Sequence, residues 1–237
     1  MVKEQKEKFE KKLFGTLLII FLLISIISTL LYASTRERLL PKPEVEEGIR
    51  GEMFGIDKNI NEKTIDKYLN RSDSVYRDMR MLIDPGNYAA IDGDSYLSGF
   101  VKGFEVIPLP YIIPVSGLPE EVGNTYQGVT LFSIDENGKY VANYEESMDI
   151  LEYIFPKNKN IFLMCGGGGY AGMTKKLLID LGWSENKIYN VGGYWYYDGK
   201  NNVNVKETVD DKDYYNFAKV PYHNIDFSLL HKVEASN

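Results

Sequence analysis

The stretch NIFLMCGGGGYAGMTKKLLIDL, residues 160–181, decides how the rest of the chain is interpreted. Its apolar run 161–164 predicts a buried strand, and the run 171–181 predicts an amphipathic helix. Between them lie Cys165, the only cysteine of the chain, and four consecutive glycines. A strand, a short glycine loop and a helix in this order are typical of an α/β sheet with a ligand site at the carboxyl end of the strand.

The glycine loop is interpreted as a cradle of main-chain amides. Four glycines in a row lose much backbone entropy on folding, so a fold that keeps them needs the space that side chains would fill. The helix that follows adds free N–H groups and the positive end of its dipole to the same place. We expect these N–H groups to surround the sulfur and to belong to Gly166, Gly167, Gly168, Gly169, Tyr170 and Ala171. Cys165 is therefore predicted to be a catalytic nucleophile with a lowered pKa, or the loop to be an anion site.

Three other interpretations of residues 160–181 exist, of which two are excluded and one stays open. A flexible linker is excluded, because the glycines join an apolar strand to a helix. A phosphate-binding loop is excluded, because Met173 and Thr174 follow Gly172 where that motif needs lysine and then serine or threonine. A lone cysteine is often a small buried apolar residue, and this alternative stays open for Cys165.

Composition limits the function further. The 237 residues carry a net charge of −7 and are 44% hydrophobic, which fits one domain of ordinary size with additional segments. The acidic balance argues against nucleic acid as a partner. A single cysteine excludes an intramolecular disulfide and a cysteine-rich metal site. The two histidines, His223 and His231, have no clustered ligand partners in the sequence, so we predict no metal and no cofactor.

The N-terminal segment predicts a membrane anchor. Residues 1–12 carry five lysines, and residues 13–33 contain no charged residue and are long enough to cross a bilayer as a helix. A cleavable signal peptide is the alternative, because Leu-Tyr-Ala at 31–33 resembles a cleavage site. The lysines outnumber the positive residues that follow the span, which predicts a single-pass protein of the cell membrane with its N-terminus inside and its domain outside the cytoplasm.

The rest of the chain predicts alternating helices and strands. After a juxtamembrane linker at 34–56 we place the domain at 57–200 and a C-terminal extension at 201–237. The predicted helices lie at 61–69, 72–83 and 145–155, and the predicted strands at 88–92, 104–107 and 188–191. Asn137-Gly138 lies between the β-prone runs 130–134 and 139–143 and predicts a hairpin. The fold class is therefore α/β, with a parallel sheet flanked by helices and a β-hairpin insertion, after one transmembrane helix.

Over residues 75–200 the chain resembles a rhodanese-homology (sulfurtransferase) domain. The run 99–108, GFVKGFEVIP, has the spacing of the family's Gly-His-Ile-Pro-Gly-Ala-x-x-Ile-Pro. The run 165–170 has the length of the family's six-residue active loop. The other matching segments are Ala90-Ile91-Asp92 for the early strand that ends in aspartate, and 176–183 with 188–194 for the closing helix, strand and Gly-Gly turn.

The chain departs from the family pattern at several positions. Asp94 stands where the family often has arginine, Phe100 replaces the usual histidine, and Lys102 replaces the usual proline. The loop carries no arginine or lysine, and its Cys-Gly-x-Gly opening is more like the mercaptopyruvate-type loops than the thiosulfate-type loops. The related cysteine-dependent phosphatases need a loop one residue longer that ends in arginine, where this chain has Ala171.

The resemblance implies a transferase that carries sulfane sulfur as a persulfide on its active-site cysteine, Cys165. A small donor (a persulfide, a mercaptopyruvate-like compound or thiosulfate) supplies the sulfur, and a thiol or cyanide accepts it. We expect thiosulfate to bind poorly, because the loop has no cation. The alternative is a non-catalytic, membrane-tethered rhodanese-like module that binds or senses a small molecule, which the missing loop cation and the altered segment 99–102 favour.

Overall fold

The computed structural model describes residues 12–29 and 39–234. The chain divides into two compact units, residues 1–41 and 42–237, and each is described separately. The first contains helix α1, Lys12–Thr29, which is apolar and exposed.

Helix α1 is long and apolar enough to cross a membrane. At 1.5 Å per residue its 18 residues extend ~27 Å, close to the thickness of a bilayer's hydrocarbon core. Residues 30–33 of the predicted span lie outside the described residues.

The second unit is built from short strands joined by helices and loops. Its strands are β1 (Ser74–Asp78), β2 (Gly99–Val101), β3 (Glu105–Val106), β4 (Phe132–Ile134), β5 (Tyr140–Ala142), β6 (Asn160–Cys165), β7 (Ile188–Gly193), β8 (Asn202–Asn204), β9 (Lys206–Val209) and β10 (Lys212–Tyr215). Its α-helices are α2 (Ile49–Phe54), α3 (Leu109–Ile112), α4 (Ser147–Ile154) and α5 (Gly169–Asp180). Short 3-10 helices lie at Ile65–Lys67, Tyr88–Ile91, Glu120–Val122, Glu185–Lys187, Tyr194–Tyr196, Phe217–Lys219 and Phe227–Leu229.

A four-stranded parallel sheet lies at the centre of this unit, in the order β3-β1-β6-β7. β1 pairs with β6 from Ser74 opposite Asn160 to Asp78 opposite Met164. Because parallel neighbours need a crossover connection, α5 carries the chain from β6 to β7. The sheet confirms the predicted parallel α/β architecture.

An aromatic ladder crosses one face of the sheet. Tyr76, Phe162 and Tyr189 occupy matching positions of β1, β6 and β7. Their ring centroids are 5.1 Å and 4.9 Å apart, and the rings stack. Aromatic pairs of this kind contribute roughly 0.5–1.5 kcal/mol beyond the area that they bury. The ladder therefore stabilises the register that sets where the three strands end.

The helix predicted at 72–83 is wrong, because this segment contains β1. The prediction depended on Val75, Tyr76 and Met79, which have helical spacing. In the fold β1 is a central strand whose last three residues are buried. A strand that is covered on both faces loses the alternation of polar and apolar residues that would identify it.

The strand predicted at 88–92 is also wrong. Tyr88–Ile91 is a 3-10 helix, and Asp92 follows it with φ +58°, in the left-handed region. A strand cannot continue through that conformation. The strand that ends in an aspartate is β1, which closes on Asp78.

The helix predicted at 61–69 is reduced to the 3-10 helix Ile65–Lys67. The Asn61 side chain donates to the carbonyls of Asp57 and Lys58, and the Thr64 hydroxyl donates to the carbonyl of Asn59. Hydrogen bonds between side chains and nearby backbone compete with the helical pattern and explain the shortening.

The predicted hairpin is confirmed. β4 and β5 pair antiparallel, with Ser133 opposite Val141, and Gly138 in the turn has φ +77°. The left-handed conformation at this position explains the Asn-Gly signal in the sequence. The helix predicted at 145–155 is present as α4, and the strand predicted at 188–191 is present as β7.

The segment after residue 200 packs on the rest of the second unit. β8 pairs antiparallel with β2, where Phe100 lies opposite Val203. Val205 and Val220 are buried with Leu97 and Phe100 in a small apolar cluster. β9 and β10 form a second antiparallel pair beside it. The segment therefore covers the side of the unit that β2 forms.

Candidate functional site

The carboxyl ends of β1 and β6 lie side by side at the centre of the sheet. From β1 the chain continues to β3 on one side, and from β6 it continues to β7 on the other. Open α/β sheets bind ligands at such a reversal, outside the carboxyl ends of the strands. Here β6 ends at Cys165, and β1 ends at Asp78, two residues before Arg80.

A pocket with a volume of about 120 Å³ lies at this edge of the sheet. Its polar groups include Cys165, Arg80, Asp84 and the Trp195 indole. Much of its wall is apolar and is formed by Met53, Phe54, Met81, Ile91, Leu118 and Met173. Because Cys165 is only 3% exposed and lines this pocket, the pocket is the route by which a small molecule reaches its sulfur.

Backbone amides of the loop and of α5 lie close to the Cys165 sulfur. The Gly168 N–H donates to Sγ at 3.1 Å, and the nearby N–H groups of Tyr170 and Ala171 also favour the thiolate. Gly168 has φ +109°, a conformation that glycine adopts without strain, and α5 begins at the next residue. The amides therefore belong to the loop and the first turn of α5, and their donors are among the six predicted for the cradle.

The other glycines of the loop make room for aromatic rings. A Cβ on Gly166 would lie 2.4 Å from the Trp195 indole, and a Cβ on Gly167 would lie 3.3 Å from it. A Cβ on Gly169 would lie 3.5 Å from the Phe54 ring. The glycine run thus allows Trp195 to lie against the loop. The sequence did not predict this role of the glycines.

The acidity of the Cys165 thiol differs from the prediction. Burial raises the pKa of this thiol, and the nearby Asp78 carboxylate raises it further. The amides of Ala171 and Gly168 act in the opposite direction, but burial has the larger effect. A thiolate in this site loses the stabilisation that water gives to its charge, and the amides replace only part of that stabilisation. The predicted lowering of the thiol pKa is therefore wrong.

Alkylation of Cys165 by iodoacetamide should rise with pH and reach half its maximum above the pKa of about 8.5 of a free cysteine. The direction follows because only the thiolate reacts, and a raised pKa moves its formation to higher pH. Labelling rates are measured from about pH 6 to about pH 10 on the folded protein and on the urea-unfolded protein, with Cys165→Ser as the blank. A midpoint for the folded protein that lies below that of the unfolded protein would contradict this expectation.

Arg80 and Asp78 form a buried ion pair at the pocket. Nε and Nη2 of Arg80 donate to the two carboxylate oxygens at 2.9 Å and 2.6 Å, and Nη2 also donates to the Gly99 carbonyl at 2.8 Å. Asp78 is fully buried, and Arg80 is 7% exposed. Burial alone would lower the pKa of Arg80, but the ion pair with Asp78 outweighs it and the pKa is raised. The guanidinium therefore stays charged.

Arg80 was not among the predicted site residues, because segment 72–83 was predicted to be a helix. With β1 as the strand that ends in aspartate, Arg80 stands two residues after that aspartate. This is the position that the family resemblance gives to arginine, and Asp94 had been assigned to it. The loop lacks a cation, but Arg80, which follows the neighbouring strand β1, supplies one to the same pocket.

Two enclosed donor atoms on residues that line the pocket make no hydrogen bond with any described residue. They are Nη1 of Arg80 and Nε1 of Trp195. Trp195 is held in place by its backbone N–H, which donates to the Gly166 carbonyl at 3.1 Å. Buried donors without a protein partner are usually satisfied by an ordered water or a ligand, and the Arg80 guanidinium also lies over the Tyr194 ring at 4.3 Å.

Asp84 organises a hydrogen-bond network in the pocket wall. Its carboxylate accepts from the Tyr170 hydroxyl at 2.9 Å and from the Thr125 hydroxyl at 3.0 Å. The Tyr88 and Tyr170 hydroxyls are 2.6 Å apart, and burial raises the pKa of both phenols well above the ordinary range. Both phenols are therefore neutral donors, and Tyr170 ties the end of the loop to Asp84.

Residues of β7, of α2 and of the segment that follows α2 hold the loop in position. The Asn190 side chain donates to the carbonyls of Gly168 and Phe54 at 3.1 Å and 2.8 Å. The Glu62 carboxylate accepts from the Gly193 N–H at 3.3 Å and pairs with Arg50. Residues 50–62, distant in sequence from the loop, therefore help to position it.

Comparisons with known proteins add nothing to this geometry. No protein-family model matches the chain, and neither the curated proteins nor the solved structures contain a significant match. Within residues 12–29 and 39–234 there is no cluster of three or more metal-ligating side chains. The fold and the pocket define an α/β protein with a buried cysteine under main-chain amides, at the carboxyl edge of a parallel sheet.

Proposed function

We propose that the second unit is a rhodanese-like sulfurtransferase domain that carries sulfane sulfur as a persulfide on Cys165. The observation that carries the proposal is the position of Cys165, which lines the pocket and whose Sγ accepts the Gly168 N–H, with the amides of Tyr170 and Ala171 nearby. The order of the elements also supports it. A strand that ends in aspartate, an arginine two residues later, and the six-residue run 165–170, which begins at the end of β6 and ends in the first turn of α5, all follow the family pattern.

Sulfur transfer takes two balanced steps in this site. The Cys165 thiolate attacks the outer sulfur of a donor R–S–SH, the donor's S–S bond breaks, and R–S⁻ leaves with the electron pair. The product is Cys165–S–SH. An acceptor thiolate or cyanide then attacks the outer sulfur, and the Cys165 thiolate is released. The amides of the loop stabilise negative charge on sulfur in both steps without a reorganisation of the protein.

The proposal is tested by trapping the persulfide. We expect the full-length protein to gain one sulfur atom on Cys165 after treatment with glutathione persulfide or 3-mercaptopyruvate, and Cys165→Ser to gain none. Mass spectrometry locates the sulfur, and cyanolysis measures its amount as thiocyanate. A sample reduced with dithiothreitol is the control. Labelling that persists in Cys165→Ser, or no labelling of the wild-type chain with any donor, would rule out this role.

A non-catalytic binding module is the second candidate, and one observation favours it. Burial raises the pKa of the Cys165 thiol, so less thiolate is present at neutral pH than in a free cysteine. Such a module would bind a small molecule in the same pocket and leave it unchanged. Saturable binding of a donor, with no transfer of sulfur even at alkaline pH where the thiolate forms, would support the module over the enzyme.

We propose further that α1 is an uncleaved single-pass anchor, with the N-terminus inside and the second unit outside the cytoplasm. The lysines of residues 1–12 support this orientation. Protease added to intact cells should digest the second unit and spare a tag placed on the N-terminus. A cleaved signal peptide would instead remove that tag from the mature chain, and a protected second unit would reverse the orientation.

A further inference from the structure

A second cavity, with a volume of about 240 Å³, is formed where the end of α4 and the segment around residue 223 meet β1 and β3. Arg77 of β1 lies opposite Glu105 of β3, and the His223 N–H donates to the Val106 carbonyl at 2.9 Å. The cavity is lined by Arg77, Glu105, Ile107, Tyr153, Ile154 and His223. None of these residues lines the pocket at Cys165, so the two cavities are separate.

Arg77 brings an unused hydrogen-bond donor to this cavity. Its Nε donates to the Ile154 carbonyl at 2.9 Å, and its Nη1 donates to the Tyr76 carbonyl at 3.2 Å and pairs with Glu105. Nη2 makes no hydrogen bond with any described residue, yet it is not enclosed as Nη1 of Arg80 is. Because Arg77 is only 9% exposed and lines the cavity, Nη2 is a donor that a ligand in the cavity can reach.

The charge of Arg77 is less well compensated than that of Arg80. Burial lowers the pKa of Arg77, and the opposing effect of Glu105 does not offset it. At Arg80 the ion pair with Asp78 outweighs burial and the pKa is raised. The Glu105 side chain is 41% exposed, so water screens its charge, whereas Asp78 is fully buried. A carboxylate on Nη2 would replace part of the hydration that the Arg77 guanidinium has lost.

Glu105 brings a free acceptor to the same cavity. Its Oε2 pairs with Arg77 and lies 3.3 Å from Nε2 of His223, while Oε1 has no hydrogen-bond partner among the described residues. A ligand with only a carboxylate would meet the like charge of Glu105, and one with only an ammonium group would meet that of Arg77. A ligand that carries both groups meets each charge with its opposite.

We propose that this cavity binds a small apolar α-amino acid as its zwitterion, with its carboxylate on Nη2 of Arg77 and its ammonium group on Oε1 of Glu105. The rest of the lining favours an aliphatic side chain, because Ile107 and Ile154 are buried and the Tyr153 ring is available beside them. Burial of such a side chain against these residues stabilises the complex. The inference does not depend on sulfur transfer at Cys165.

Calorimetric titration of the full-length protein in a neutral maltoside detergent tests the inference, against detergent-only blanks. L-Leucine is compared with leucinamide, which lacks the carboxylate, and with 4-methylpentanoate, which lacks the ammonium group. We expect leucine to bind at least about tenfold more tightly than either analogue, because each analogue leaves one charged partner unmatched. No binding of leucine, or equal affinity for all three compounds, would overturn the inference.

The variant Glu105→Gln is expected to change the affinities of two ligands in opposite directions. It keeps the size of the side chain and removes its charge, so leucine should bind about tenfold more weakly and 4-methylpentanoate about two- to fivefold more tightly. A loosened fold would weaken both ligands, and that result would overturn the assignment, as would unchanged binding of leucine. Glu207→Gln is the matched control and should alter neither affinity, because Glu207 pairs with Lys219 at 2.7 Å and lies outside the cavity lining.

Discussion

Gly193→Ala is expected to lower the free energy of unfolding by about 3 kcal/mol and to abolish persulfide formation on Cys165. Gly193 is the last residue of β7 and is buried. A Cβ there would lie 2.1 Å from the Gly166 carbonyl oxygen and 2.7 Å from the Gly167 Cα. Both are backbone atoms of the loop, so they cannot rotate away as a side chain does. The loop must shift, and the amides that face Sγ shift with it.

Urea denaturation followed by circular dichroism measures the stability, and cyanolysis measures the persulfide. Gly169→Ala is the matched control within the same loop. A Cβ on Gly169 would lie 3.5 Å from the Phe54 ring, which is ordinary contact, and alanine favours helix at the first residue of α5 by up to about 1 kcal/mol. We expect Gly169→Ala to be as stable as the wild type or slightly more stable. Equal losses in the two variants would show that the loop rejects any side chain, and that the contact with β7 is not the cause.

Asp78→Asn is expected to lower the free energy of unfolding by about 3–5 kcal/mol. The substitution keeps the size of the side chain and removes its charge, which leaves the Arg80 guanidinium buried without a counter-ion. Asp78 is fully buried and Arg80 is 7% exposed, so water cannot replace the missing partner. Thermal and urea unfolding report the loss, and donor binding should weaken with it, since Arg80 lines the pocket.

The control for this prediction is an exposed ion pair. Lys176 and Asp180 lie one turn apart on α5, with their charged atoms 2.5 Å apart and both side chains accessible to water. We expect Asp180→Asn to change the stability by less than about 0.5 kcal/mol. The double variant Asp78→Leu with Arg80→Met should recover part of the stability that Asp78→Asn loses. A small loss for Asp78→Asn would show that Arg80 finds another partner.

Local signals in the chain predicted the cysteine loop well. An apolar run, four glycines and an amphipathic run define β6, the loop and α5, because each element depends mainly on neighbours in the sequence. The Asn-Gly turn and the helix α4 were predictable for the same reason. The apolar helix near the N-terminus follows from length and composition alone.

The sequence pattern did not predict the central strand β1, which is covered on both faces of the sheet. β1 contains Arg77 and Asp78 yet lies in the middle of the sheet, because ion pairs with Glu105 and Arg80 satisfy these charges. Its pattern matched helical spacing by chance, and the error moved the predicted aspartate strand to 88–92. Arg80 was lost as a site residue in the same step.

The residues themselves determined that Cys165 lies at the end of a strand, that backbone amides of the glycine loop lie close to it, and that an apolar helix precedes the sheet, because strand, turn and helix signals act over a few positions. Folding decided which residues share the pocket with Cys165: Arg80 after β1, Trp195 after β7, and the apolar wall. Burial, and with it the raised pKa of the thiol, depends on atoms brought together from distant segments. Contacts between distant segments form only when the sheet assembles, so no single stretch of the sequence predicts them.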